Sequence, residues 1–127
     1  MDGPALIAGL ETGSLPPAQF SHENHVRAAR QLLLAEPLPQ AAHRFAELLR
    51  NYVGGIGAQD KFHLTLTLAF MHLIHQRMRA GDSWDGFRAR HPELFRDAAA
   101  LIARHYSRER IAAGRSVFIE PDGLPLP

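Results

Sequence analysis

The chain of 127 residues contains no cysteine. That excludes a disulfide scaffold, a thiolate zinc site, an iron–sulfur cluster and a thiol nucleophile. Lysine is almost absent too: Lys61 is the only one, and every other cation is an arginine. Lys+Arg 14 against Asp+Glu 13 leaves a formal charge of +1, too little for a polybasic surface that grips nucleic acid or anionic lipid. No apolar run approaches the roughly 18 residues of a membrane span, and Met1-Asp2-Gly3-Pro4 lacks the charged start of a secretory signal. No stretch alternates with the period of a strand. The G-x-S-x-G, H-E-x-x-H and di-iron Glu-x-x-His patterns are missing, and Gly54-Gly55-x-Gly57 lacks the Lys-Ser/Thr of a phosphate loop. The expectation is a soluble, cytoplasmic protein with no nucleic-acid or membrane partner. Its length suits one domain burying about two-thirds of its unfolded surface.

What is present is helical periodicity. Residues 1–19, rich in glycine and proline, read as an irregular lead-in with at most one helical turn over residues 5–10. A first helix begins after Ser21, a suitable N-cap, with Glu23 in its first turn, and stops near Ala35 before Pro37 and Pro39. A second spans about residues 39–53, its stripe formed by Leu38, Ala42, Phe45, Leu49 and Tyr52. A third, over about residues 60–78, is apolar around much of its circumference and is expected to be central. Ser83 caps a short helix with Trp84 and Phe87; a last long helix runs over about residues 92–105, and Ser107 caps a further turn. The reading is all-α: a single-domain bundle of four main helices plus a short connector over residues 20–112, with an extended tail, residues 113–127, packing on it.

Eight histidines are dispersed through the chain. Short connections make successive helices antiparallel neighbours, which brings His22, His25, His63 and His105 to one end of the bundle. His22 shares a face with Val26, Ala29 and Leu33; His25, three residues on, lies about 60° around the helix. His63 repeats that spacing with Thr67, Phe70 and Ile74, and His105 continues the face of Ala98 and Leu101. Neutral imidazoles at such spacing on one helix can share a divalent ion, with the third ligand coming from another element. Three histidines and an open position are the arrangement that polarises water or substrate; zinc and iron both suit imidazole. Asp60, on nearly the same face as His63, and Glu23 are the carboxylates able to orient a ring or act as base. His43 is expected to be solvated beside Glu47, His72 to miss the site, and His75 and His91 to pack or cap. Thr65 and Thr67 are expected to bond back to helix carbonyls, and Asp82 and Asp85 to serve as caps or turn residues.

The segments Phe20-Ser-His-Glu-Asn-His-Val-Arg27 and Phe62-His-Leu-Thr-Leu-Thr67, with His91-Pro92-x-Leu94 and Val117-Phe118-Ile119-x-Pro121-Asp122, resemble a family of small, all-helical, uncharacterised bacterial proteins. That family carries F-x-H-x-x-H-[VL]-R and [YF]-H-x-T-x-T patterns, and the resemblance covers roughly residues 20–122. It points to His22, His25 and His63. Many members have Glu directly after the histidine of the second pattern, where this chain has Leu64.

Two functions compete on these residues. One is a metal-dependent small-molecule enzyme with a three-histidine site. The other is a non-catalytic ligand- or partner-binding accessory module whose histidines are structural.

Overall fold

Apolar residues at helical spacing dominate the chain, and the computed structural model, which describes residues 1–127, is all helical with no strand. The chain forms two compact units, Met1–His63 and Leu64–Pro127. No helix is long and apolar enough to cross a membrane.

The first unit holds α1 (Gly3–Thr12), α2 (His22–Ala35) and α3 (Leu38–Gly55), with 3-10 turns at Pro17–Gln19 and Gln59–Lys61. The three helices pack on one another. A full helix at Gly3–Thr12 departs from the irregular segment its glycines and prolines suggest. Three local features outweigh that composition. The Asp2 carboxylate accepts from the Ala5 amide at 2.9 Å, Pro4 falls in the first turn where its missing N–H costs nothing, and Leu6, Ile7 and Leu10 bury one stripe. Gly13, at φ 73°, closes the helix in the left-handed conformation. Ser21 caps α2 as its sequence predicts, its hydroxyl accepting from the Asn24 amide at 3.2 Å.

The Tyr52 hydroxyl donates to the Leu15 carbonyl at 2.6 Å, tying α3 to the loop after α1. Tyr52 is buried, so the Tyr52→Phe variant leaves that carbonyl without its partner. Its urea midpoint should fall by the equivalent of about 1–3 kcal/mol with an unchanged m-value. A midpoint equal to wild type would show the bond to be dispensable.

The second unit holds α4 (Leu64–Arg77), α5 (Trp84–Arg90), α6 (Glu93–Arg96), α7 (Ala98–Ala103) and α8 (Arg108–Ala113). Ser83 and Ser107 cap α5 and α8, accepting from the Gly86 and Arg110 amides at 3.0 and 3.2 Å. Trp84 stacks with Phe87 and meets Phe95 edge-on at ring separations of 6.0 and 5.8 Å. The helix expected over residues 92–105 is two helices, broken at Asp97, whose backbone (φ −124°, ψ 35°) leaves the helical region. Leu94, Leu101 and Ile102 are buried on either side of the break, so the apolar pattern runs through it without marking it.

Residues 114–127 contain neither helix nor strand and are held by hydrogen bonds. The Thr65 hydroxyl donates to the Val117 carbonyl at 3.1 Å and accepts from the Ile119 amide at 3.2 Å. Thr65 therefore bonds to a distant segment rather than back to its own helix. The Tyr106 hydroxyl donates to the Ile119 carbonyl at 2.8 Å, and the Ser107 amide donates to the Asp122 carboxylate at 2.8 Å.

Candidate functional site

The first turn of α2 positions His22 and His25. They are three positions apart, so their rings lie over the same end of the helix, with centroids 6.2 Å apart and planes within 12° of parallel. His22 is exposed and His25 half-buried. The His25 ring meets the edge of Phe45 on α3 at 5.1 Å and lies 5.7 Å from Phe20. Phe20 in turn stands edge-on to Tyr52 at 5.5 Å.

This aromatic surround sets the chemistry of His25. Stripping water from the imidazolium disfavours the charged form, and the neighbouring His22 adds to that, lowering the His25 pKa from 6.5 to about 4. At neutral pH the ring is uncharged. Its Nδ1 is enclosed and has no hydrogen-bond partner, an unsatisfied state that a buried polar atom rarely keeps. A neutral imidazole with an uncommitted nitrogen has the electronic character of a metal ligand. Two imidazoles on one tetrahedral zinc, at about 2.0–2.1 Å per nitrogen, have centroids roughly 5 Å apart. The observed pair is wider than that, and its stacked, nearly parallel rings would have to turn for both to direct a nitrogen at one ion.

Of the other expected members, Glu23 keeps its place in the first turn of α2, while His63, Asp60 and His105 are placed differently from the sequence reading. His63 precedes α4 instead of occupying its first turn. The amides of Leu64 and Thr65 donate to the carbonyls of Arg115 and Gly114 at 2.8 and 3.1 Å, so a distant segment caps the helix and fixes its start at Leu64. Asp60 lies in the separate 3-10 turn Gln59–Lys61, exposed, and does not share a helical face with His63. Glu23 is half-buried in the first turn of α2. His105 belongs to the second unit and lies past the end of α7. It is buried, with Nδ1 2.9 Å from the Leu124 carbonyl oxygen, so that nitrogen is already engaged. No group of three or more histidine, aspartate or glutamate side chains stands at metal-binding distances. The structure brings together His22 and His25.

Of the remaining histidines, His43 pairs with Glu47 at 3.2 Å on an exposed face. His72 Nδ1 is 3.0 Å from the Pro127 carbonyl oxygen, and His91 packs on Phe87 at 5.2 Å. The aromatic enclosure of His25 has little signal in the sequence: Phe45 is one member of a core stripe, and Phe20 is the first residue of the F-x-H-x-x-H pattern. No protein-family model matches the chain, nor does any curated protein or solved structure.

Proposed function

We propose that the chain binds one divalent ion, zinc or iron, through His22 and His25 with His63 as third ligand, and uses it on a small-molecule substrate. The observation that carries this reading is His25: an uncharged ring beside a second imidazole, with an enclosed Nδ1 that has no partner. The resemblance of the two histidine-containing segments to one family supports it. Bound there, the ion would supply Lewis-acid activation of water or substrate. Glu23 and Asp60 are the carboxylates assigned to orient a ring or accept a proton.

Untagged protein, wild type and variant, tests it. Wild type should retain one equivalent of metal after dialysis. His22→Ala, which alters an exposed residue and spares the core, and His63→Ala should each weaken binding by more than about tenfold. Metal-free wild type, or affinities unchanged in both variants, would overturn the reading. A second reading would then hold, favoured by the edge-on contact between His25 and Phe45 at 5.1 Å. In it, the imidazole is a packing element of a non-catalytic accessory module that binds a ligand or partner.

A further inference from the structure

The second unit has a shallow, open surface cavity of about 630 Å³ lined by Gln76, Arg77, Arg79, Arg90 and His91. In so open a site, charge and hydrogen bonds rather than enclosure would hold a ligand. Three guanidiniums line it, and the carboxylates that pair with them are two. Asp82 takes both terminal nitrogens of Arg90, one at 2.6 Å, and stands 3.9 Å from Arg79 Nε. Glu93 stands 3.5 Å from Arg77 Nε and 3.9 Å from His91 Nδ1. The ion pairs thus leave positive charge in excess.

The donors are in excess as well. A guanidinium has five N–H groups in a fixed fork. Asp82 occupies one edge of Arg90, holding the fork in place while its other edge keeps donors to spare. Arg77 is anchored by Nη1 to the Leu73 carbonyl at 2.9 Å, and the Arg79 side chain is 67% exposed. Surplus charge and oriented N–H groups together make a complement to an oxyanion.

We propose that this cavity binds the oxyanion group, phosphate or carboxylate, of a small molecule. It lies in the second unit and uses none of the histidines assigned to the divalent ion, so the two proposals stand or fall separately. The test is calorimetric titration of the full chain with inorganic phosphate and, separately, with succinate, at ionic strength held constant with chloride. Wild type should bind at least one of them saturably, and the tighter of the two identifies the group recognised. Arg79→Gln, a change at an exposed side chain, should weaken that binding by about tenfold. Arg104→Gln removes the same charge from an exposed position outside the cavity and should leave it unchanged. Absence of saturable binding of both anions, or equal weakening in the two variants, would overturn the proposal.

Discussion

Replacing Phe45 with alanine is expected to lower the unfolding free energy by about 3–5 kcal/mol, the usual cost of truncating a fully enclosed aromatic residue. Phe45 has no accessible surface and stands on α3 against the His25 ring of α2. Truncation removes its own burial and also the wall that keeps water from the imidazole. The substitution should therefore do two things at once. The denaturation midpoint falls, and the His25 pKa rises from about 4 towards its ordinary 6.5 as water reaches the ring. Small domains are stable by only about 5–15 kcal/mol, so the alanine variant could consume most of the margin. Phe45→Leu keeps most of the volume and provides the folded protein in which the histidine titration is followed by NMR. A loss below about 1 kcal/mol in Phe45→Ala, outside the range for buried aromatic truncation, would contradict the packing described for this residue. An unmoved His25 titration in both variants would contradict the assignment of its low pKa to aromatic enclosure.

That pairing shows which features of this protein were legible in sequence. The caps at Ser21, Ser83 and Ser107 are local chemistry, and each forms the expected bond to an amide three residues on. The adjacency of His22 and His25 is equally local, fixed by three residues of helix. The helix at Gly3–Thr12 was hidden because glycine and proline lower intrinsic propensity, while capping by Asp2 and burial of Leu6 and Leu10 decide the outcome. The start of α4 was not legible at all. It depends on carbonyls some fifty residues away in sequence, at Gly114 and Arg115. That non-local cap displaces His63 from the helical face on which its spacing had placed it, and the turn at Gln59–Lys61 separates Asp60 from it. His105 shows the same limit. Apolar periodicity carried the last helix through to it, but the chain leaves the helix at Asp97 and again after Ala103, and the ring nitrogen is taken by Leu124. The ligand set read from sequence thus rests on two kinds of information: spacing within one helix, which survives folding, and alignment between helices, which depends on where each begins.

The enclosure of His25 also makes stability depend on pH in a defined window. Above 6.5 the imidazole is neutral in the folded and unfolded chain alike, and it contributes no pH dependence. Between 6.5 and about 4 the unfolded chain takes up a proton that the folded ring refuses, so the metal-free protein loses stability as the pH falls through that range. Below about 4 both forms are protonated and the loss is complete, at up to about 3 kcal/mol for the full displacement. Asp122 acts in a lower window. The Ser107 side chain and amide hold its carboxylate below the usual 3.8, so the stability it contributes is present above that value and is lost on further acidification. Chemical denaturation in the presence of a chelator, repeated between pH 4 and 7, measures the sum of all titrating groups. Comparison with His25→Gln isolates the ring, because the variant has no proton to take up there. Its stability curve should be flatter than that of wild type over this interval and parallel to it above 6.5. Curves parallel throughout would mean that the imidazole of the folded protein ionises as it does in water. The ring at the start of α2 would then be an ordinary imidazole, and the strongest support for a divalent ion at this site would be lost.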